Sequence, residues 1–195
     1  RLLLAEEEDE RSQEMLEELF SIEQYVEMAL QFSRLSAKST DFVIGEVSLD
    51  KVVREAIHKY ARLFVRKKIK MELSFIDTQV LTDEKWLEFV IEQILSNAIK
   101  YTAGGTISVY LKEEPEQETK ELVIEDTGIG IAPEDLPRIF EKGYTGYNGH
   151  ADKRSTGIGL YLCRKIMRKL SHEITIESEI GVGTKVHLEM RSRDK

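Results

Sequence analysis

The sequence predicts an α+β protein: a two-layer sandwich of helices on one face of a largely antiparallel sheet, preceded by a long bundle helix. Three observations support this. An apolar stripe runs at heptad spacing through residues 12–37. From residue 42 onward, stretches of helical and of strand periodicity alternate. The last two predicted strands flank a glycine-containing turn, which is typical of an antiparallel pair.

The first helix carries its apolar residues in alternating steps of four and three, the pattern of a bundle or coiled coil. The stripe consists of Met15, Leu19, Ile22, Val26, Ala29 and Ser33, widened by Leu16, Phe20 and Leu30. A helix packed on its own domain gives the same pattern, so both interpretations stay open. We expect residues 1–11 to form a helix end followed by a charged turn, and residues 36–45 to form a polar connector.

The other elements follow from periodicity and turn residues. Helices are predicted at residues 49–67, 83–101 and 157–170, the second capped by Thr82 or Asp83. Strands are predicted at residues 42–48, 69–75, 80–81, 106–112, 120–126, 174–177 and 185–190. An acidic turn at residues 113–120 makes a hairpin, Gly181 and Gly183 turn the last strand pair, and residues 127–156 are rich in loops.

The composition argues against several classes of function and site. The net charge of −8 over 195 residues argues against a nucleic-acid-binding surface, which is normally basic. The single cysteine, Cys163, excludes an internal disulfide and fits a reducing compartment, and four scattered histidines offer no zinc spacing. No apolar run approaches the ~20 residues of a membrane span, and residues 2–4 are too short a run for a signal peptide. One domain with an appendage is expected.

Polar side chains gather on one face of the helix predicted at residues 83–101. Gln93, Asn97, Lys100 and Tyr101 share this face. The amide oxygen of Asn97 is a hard ligand suited to Mg²⁺, Lys100 can neutralise phosphate, and Tyr101 can pack near a base or ribose. The alternative is an ordinary helix surface. The face toward the sheet is formed by Leu87, Val90, Ile91, Ile94 and Ala98.

Asp126 ends a predicted strand and is followed by Gly128 and Gly130. An ionised carboxylate only accepts hydrogen bonds, so it pairs with the exocyclic amine of adenine and not with the carbonyl of guanine. Both glycines allow positive φ and a close approach of the backbone to a purine. Taken alone, the segment is also compatible with an ordinary turn.

Gly157 and Gly159 follow Thr156 at the start of the last predicted helix. N–H groups at a helix N-terminus bind phosphate, and glycine lets phosphate come close. The alternative is a capped helix with two incidental glycines. Residues 143–155 are rich in glycine and lack apolar periodicity, which predicts a mobile lid. We expect Lys142, just before the lid, or Arg154, within it, to contact phosphate when ATP is bound.

Together, residues 93–101, 125–131 and 155–160 resemble the N, G1 and G2 boxes of the ATP-binding domain shared by sensor histidine kinases, gyrase, Hsp90 and MutL. The resemblance covers about residues 45–191 and implies a Bergerat-type ATP-binding fold, with ATP and Mg²⁺ as cofactors. It implies catalytic roles for Gln93, Asn97 and Lys100, with Asn97 as the metal ligand. The nucleotide contacts that it implies are Asn97, Lys100, Tyr101, Asp126, Gly128, Gly130, Ile131, Phe140, Lys142, Thr156, Gly157, Gly159, Leu160 and Thr184.

Residues 85–90 and 140–146 resemble most the intramembrane-sensing subgroup of these kinases, which works with peptide-antibiotic ABC transporters. The implied reaction is transfer of the ATP γ-phosphoryl group to a histidine, and then to an aspartate of a response regulator receiver domain. Residues 1–40 resemble part of the dimerisation and phosphotransfer hairpin, mostly its second helix, and residues 41–195 resemble the catalytic domain. The resemblance implies a homodimer at the cytoplasmic face of a bacterial membrane.

One departure from the family pattern concerns catalysis. Gln93 stands where the kinases have asparagine and the related ATPases have a glutamate base. Glutamine takes up no proton, so we expect poorly assisted hydrolysis. Glu92 is expected to point into solvent, away from Ile94, and cannot replace the base.

A second departure is that no histidine fits the phosphoacceptor motif. His58 and His172 are expected on helix surfaces, His187 in a strand and His150 in the lid. The family order places the acceptor before Arg1, with residues 1–8 as a remnant of the first bundle helix. Two alternatives stay open: an ATPase of the gyrase or MutL kind, and a non-catalytic nucleotide-binding interaction module.

Overall fold

The computed structural model describes residues 2–36, 42–74, 76–112, 119–146 and 156–191. The chain forms two compact units, residues 1–41 and residues 42–195. The described residues of the first unit form a single helix, α1 (Leu2–Ser36). The turn expected within residues 1–11 is therefore wrong for residues 2–11: the segment contains no glycine or proline, and its leucines, alanine and glutamates are good helix formers. The apolar side chains Met15, Leu16, Leu19, Ile22, Val26 and Leu30 of α1 are exposed.

The second unit contains four helices and seven strands among the described residues. The helices are α2 (Leu49–Lys59), α3 (Ala61–Arg66), α4 (Glu84–Tyr101) and α5 (Gly159–Lys169). The strands are β1 (Gly45–Ser48), β2 (Ile69–Leu73), β3 (Gln79–Thr82), β4 (Gly105–Lys112), β5 (Thr119–Asp126), β6 (Glu173–Glu179) and β7 (Gly183–Arg191).

The five-stranded sheet has the order β2-β4-β5-β7-β6, and every pair is antiparallel except β2 with β4. Strands β1 and β3 form a separate antiparallel pair. The predicted α+β sandwich is thus confirmed, because α4 packs against β5 and lies between α2 and α5. Residues 113–118 of the acidic turn, residue 75 and residues 37–41 of the connector lie outside the described residues.

Helix α4 forms the centre of the helical layer. The five residues predicted to face the sheet are all buried: Leu87, Val90, Ile91, Ile94 and Ala98. Asp83 is its N-cap, as one of the two predicted candidates, with Oδ1 accepting a hydrogen bond from Trp86 N at 3.1 Å. Oδ2 of the same carboxylate accepts from Val43 N at 2.7 Å, which ties the start of the second unit to α4.

Packing between α2 and α4 contradicts two expectations, one about the length of a helix and one about the exposure of Glu92. The helix predicted at residues 49–67 is broken at Tyr60, whose buried side chain donates a hydrogen bond to Glu92 O at 3.2 Å. Glu92 was expected in solvent, yet it is only 6% exposed and pairs with Lys59 Nζ at 2.7 Å. The reason is that α2 packs on the face of α4 that carries Glu92, so helical position alone does not determine exposure.

The end of α5 also differs from expectation. Ser171, which follows the C-cap residue Leu170, adopts a positive φ of 61° and turns the chain inward. His172 is consequently buried, with Nε2 3.1 Å from Thr82 Oγ1, and does not lie on a helix surface as predicted. His58 is exposed on α2 and His187 lies in β7, both as expected. Among the described residues, no helix combines the length and the apolar character that membrane crossing requires.

Candidate nucleotide site

Asp126 lies at the end of β5 on the face of the sheet that the helices cover. It is 8% exposed, and its Oδ1 accepts a hydrogen bond from Gly128 N at 2.8 Å. Burial raises the pKa of Asp126 to about 6; backbone N–H groups of Gly128 and Thr184 oppose this rise, and the charge of Glu125 adds to it. The carboxylate is therefore mostly ionised at neutral pH and acts as a hydrogen-bond acceptor.

Glycines around Asp126 allow the backbone to pack closely. A Cβ on Gly130, where φ is +72°, would lie within 3.0 Å of Glu179 O, and one on Gly183 would lie equally close to Asp126 O. A Cβ on Gly128 would lie 2.5 Å from Tyr101 O. Gly130 uses the positive φ that glycine allows, whereas Gly128 does not and needs to be glycine because of its neighbours. The atoms that both glycines approach closely belong to the backbone of this chain, at Tyr101 and Glu179.

Ser178 is a member of this region that the sequence analysis missed. Its hydroxyl donates to Gly183 O at 2.8 Å and accepts from Ile131 N at 2.9 Å. Since a serine hydroxyl has one hydrogen, Thr184 Oγ1, 2.9 Å away, is the donor in that contact. Ser178 thereby joins Ile131 and Thr184, two of the residues that the resemblance implies. The available signal was a polar residue at an inward position of β6, in step with Ile174 and Ile176.

Along α4, the predicted polar face meets both neighbouring segments. Gln93 is 6% exposed, and its Oε1 lies 3.0 Å from the position of a Cβ on Gly159. Asn97, Lys100 and Tyr101 are half-buried, and Lys100 Nζ lies 5.3 Å from the centre of the Tyr101 ring. Tyr101 O accepts a hydrogen bond from Ile129 N at 3.2 Å. Helix α4 thus contacts the segment after β5 at its C-terminus and the start of α5 at its middle.

The start of α5 differs from the prediction. The helix begins at Gly159, not Gly157, and no side chain caps it at Ile158. Gly157 has φ +64°, and its carbonyl accepts a hydrogen bond from Gly143 N at 2.9 Å. A Cβ on Gly157 would lie within 3.0 Å of the Gly143 and Tyr144 backbone. Thr156 Oγ1 accepts from Ile158 N at 3.3 Å, and Leu160 occupies the first turn of α5.

Phe140 lies on a groove separate from these contacts. The guanidinium of Arg164 lies 5.1 Å from the Phe140 ring centre, and Phe140 lines a groove of about 640 Å³ with α5 and the start of β6. None of the other implied nucleotide contacts lines this groove. Lys142 is exposed.

Two expectations at this site concern the lid and the metal. Most of the predicted lid, residues 147–155 with His150 and Arg154, lies outside the described residues, so the lid stays a prediction. Within the described part of the chain, no three His, Cys, Asp or Glu side chains form a metal cluster. The metal prediction therefore rests on the amide of Asn97.

The fold and this arrangement of three segments define an ATP-binding class of protein, and comparison with known proteins agrees. Residues 82–194 match the family described as "Histidine kinase-, DNA gyrase B-, and HSP90-like ATPase". The chain belongs to this family, which confirms the resemblance and the binding of ATP as its class of cofactor.

Its relatives are sensor histidine kinases. The chain is 37% identical over 186 residues to "Sensor histidine kinase YxdK" of Bacillus subtilis (strain 168), which covers 95% of this chain and 57% of that protein. It is 35% identical over 190 residues to "Sensor protein kinase GraS" of Staphylococcus aureus (strain MRSA252), covering 96% and 54%. The chain therefore spans about half the length of the relatives it matches.

Solved structures show the same fold. Full-length ShkA in complex with AMPPNP has a TM-score of 0.72 at 21% identity, over 87% of this chain and 36% of that chain. The catalytic domain of histidine kinase ThkA in a nucleotide-free form has a TM-score of 0.66 at 22% identity, over 77% and 97%. At this identity the likeness concerns the fold alone.

Proposed function

We propose that the chain is the ATP-binding catalytic part of a protein-histidine kinase. It transfers the γ-phosphoryl group of ATP to a histidine, from which the group passes to an aspartate on a response regulator receiver domain. The observation that carries the proposal is the position of α4. Its Tyr101 carbonyl binds the segment after Asp126, and its Gln93 lies against Gly159 at the start of α5. Three segments far apart in sequence thus surround one helix face.

In this proposal Asp126 recognises adenine, because its ionised carboxylate accepts a hydrogen bond from the exocyclic amine. Gly128 and Gly130 hold the backbone beside the carboxylate, and Ile131 and Thr184 are fixed next to it through Ser178. Tyr101 packs near the base or ribose. This part of the site is rigid, because it consists largely of backbone from β5, β6 and β7.

Phosphate is bound by residues of α4, of the first turn of α5 and of the segments that precede α5. Asn97 would hold Mg²⁺ through its amide oxygen, and the ion would neutralise charge on the phosphates. Lys100 adds a positive charge, Lys142 reaches phosphate from the segment before residues 147–155, and Thr156, Gly157, Gly159 and Leu160 present backbone N–H groups. Placement and charge neutralisation are the main tasks of a protein in phosphoryl transfer.

Gln93 favours transfer over hydrolysis, because an amide accepts no proton from water. Glu92 does not replace it, since Lys59 holds its carboxylate against α2. This observation weighs against an ATPase of the gyrase kind. A non-catalytic nucleotide-binding module remains the second alternative, and a transfer experiment distinguishes it.

To test the proposal, the chain is mixed with a separate helical hairpin that carries an acceptor histidine from a related kinase, Mg²⁺ and γ-³²P-ATP. We expect acid-labile, base-stable label on the hairpin and none on this chain, because none of its four histidines fits the acceptor motif. Burial of His172 and the hydrogen bond between His187 and Glu121 also oppose labelling, and the exposed His58 is the internal check. Asp126→Asn and Asn97→Ala should both lower the rate. Binding of ATP without transfer indicates the non-catalytic module, and rapid phosphate release without an acceptor indicates an ATPase.

We further propose that the intact protein is a homodimer through α1 and works at a bacterial membrane, with a peptide-antibiotic transporter as a partner. The exposed stripe on α1, which includes Leu19, Ile22 and Val26, supports the dimer. Sedimentation of this chain should reveal weak, concentration-dependent association that a Leu19→Asp, Val26→Asp double variant abolishes. A strict monomer at every concentration would contradict it.

A further inference from the structure

Thr102 is the residue directly after α4, and no role was predicted for it. Its side chain is 1% exposed, and its backbone is extended, with φ −106° and ψ 122°. Within the described part of the chain, its Oγ1 has no hydrogen-bond partner. A buried hydroxyl without a partner is costly, so such a group in a native protein calls for an explanation.

The packing of Thr102 fixes the direction in which its hydroxyl points. Its methyl carbon Cγ2 lies 3.3 Å from the position of a Cβ on Gly105, at the start of β4. Its Oγ1 lies 3.0 Å from the position of a Cβ on Gly128, on the other side. The methyl group therefore faces β4, and the hydroxyl faces the segment that follows β5.

The same point beside Gly128 lies 2.7 Å from Oδ1 of Asp126. The hydroxyl of Thr102 and the carboxylate of Asp126 are thus close without a direct hydrogen bond between them. Both distances are taken from one point, so the two oxygens are near enough for a single water to bridge them by donating to the carboxylate and accepting from the hydroxyl. The carboxylate has capacity left, because the backbone N–H groups of Gly128 and Thr184 occupy two of the about four acceptor sites of an ionised carboxylate.

We propose that Thr102 is a positioning residue for base recognition: its hydroxyl, through one water, holds the carboxylate of Asp126 ionised and oriented toward adenine. The inference rests on the proposed function, since adenine recognition by Asp126 belongs to it. A donor at this place favours the charged form and so opposes the effect of burial on Asp126. Among the described residues, Glu125 on β5 is the charged group that acts on Asp126, while Ile107 on β4 and Thr184 on β7, its neighbours in the sheet, carry no charge.

The test compares Thr102→Val, which keeps the shape and removes the hydroxyl, with Thr102→Ser, which keeps the hydroxyl and removes the methyl. Affinity for ADP is measured by calorimetry between pH 5 and pH 8, and thermal melts verify folding. We expect Thr102→Val to bind ADP roughly three- to tenfold more weakly at pH 7, as for the loss of one hydrogen bond. The midpoint of its pH profile should move to higher pH than in the wild type. Protonation of ADP itself affects the wild type and all variants equally, so it does not contribute to the difference between their pH profiles.

Thr102→Ser should restore both the affinity and the midpoint, which a purely structural role of the methyl group would not allow. Equal affinity and equal midpoints in Thr102→Val and the wild type would overturn the inference while leaving ATP binding intact. If the wild type itself bound no ADP at any pH, the proposed function would fail instead. Should Thr102→Val not fold, Thr102→Ala, which also lacks the hydroxyl, carries the same expectation.

Discussion

The two sides of the candidate site are built differently. The Asp126 side comprises Asp126, Gly128, Gly130, Ser178 and Gly183, and its contacts are between backbones or short side chains at distances that leave no room for a Cβ. The Gly159 side comprises Gln93, Asn97, Lys100, Gly157 and Gly159. Apart from Gly157, it relies on longer side chains of α4 and on a helix start without a side-chain cap. Of these side chains, Gln93 is buried, and Asn97 and Lys100 are half-buried.

This difference separates two tasks. A group that distinguishes one purine from another must sit in a fixed place, because a misplaced acceptor loses its hydrogen bond. Phosphates carry charge on many oxygens and can be met by flexible cations and a metal ion. We infer that base recognition is preformed in the ligand-free chain, whereas phosphate binding depends on side chains that still move.

The largest effect is expected from a methyl group at Gly130. Gly130→Ala combines a positive φ of +72° with a clash against the Glu179 backbone, and we expect it to cost about 3 kcal/mol of unfolding free energy or more. Gly181→Ala is the matched control, because φ is +77° there and nothing lies within 4 Å of the added carbon. It should cost only about 1 kcal/mol. Denaturant unfolding measures the unfolding free energy of both variants. Similar losses in the two would show that the Asp126 side can accommodate an added methyl group.

An intermediate effect is expected at Asp126 itself. Asp126→Asn places an N–H₂ group where an acceptor is needed and should weaken ATP by roughly 1–3 kcal/mol. In the wild type, nucleotide affinity should fall as pH drops below about 6, because Asp126 then takes up a proton. Unchanged affinity of the folded variant in calorimetry would remove Asp126 from base recognition.

The same substitution should have the opposite effect on stability. Burial raises the pKa of Asp126 to about 6 from its ordinary value of 3.8, so the folded chain takes up a proton at higher pH than the unfolded chain does. Ionised Asp126 therefore lowers the unfolding free energy above pH 6, and this loss is recovered as pH falls from 6 toward 4. The asparagine of the variant carries no charge at any pH. Without nucleotide, the variant should melt at a higher temperature than the wild type at pH 8, and the advantage should shrink at pH 5.

Much of this organisation could be predicted from the sequence, because it is local. The apolar face of α4, its Asp83 cap and the strand that ends at Asp126 follow from periodicity and capping. The three segments could be linked because each matches a family motif. Local patterns do not show which helix covers which face, so the burial of Glu92 was missed.

The same limit explains the remaining errors. Helix α2 ends at Lys59 because the Tyr60 side chain enters the core, a tertiary contact that helical periodicity does not contain. Ser178 acquires its importance from hydrogen-bond partners outside its own strand, and Thr102 acquires its importance from its closeness to Gly128 and Asp126. Gly128 had to be glycine, but because of Tyr101 O and not because of its φ.

The smallest effect on stability is expected on the other side of the site, from Gly159→Ala. The added carbon would meet only Gln93 Oε1, at 3.0 Å, and an amide at the end of a flexible side chain can shift by a few tenths of an ångström. Gly159 lies in the first turn of α5, where alanine is favoured over glycine by up to ~1 kcal/mol, so the two terms nearly cancel. We expect an unfolding free energy within about 1 kcal/mol of the wild type. ATP should nevertheless bind about five- to tenfold more weakly, near 1 kcal/mol, because Gln93 is displaced and phosphate approaches less closely, while adenosine binds as before. Calorimetry with both ligands measures this split. A loss of stability as large as that of Gly130→Ala would mean that both sides of the site are equally rigid, and an unchanged ratio of ATP to adenosine affinity would separate Gly159 from the phosphates.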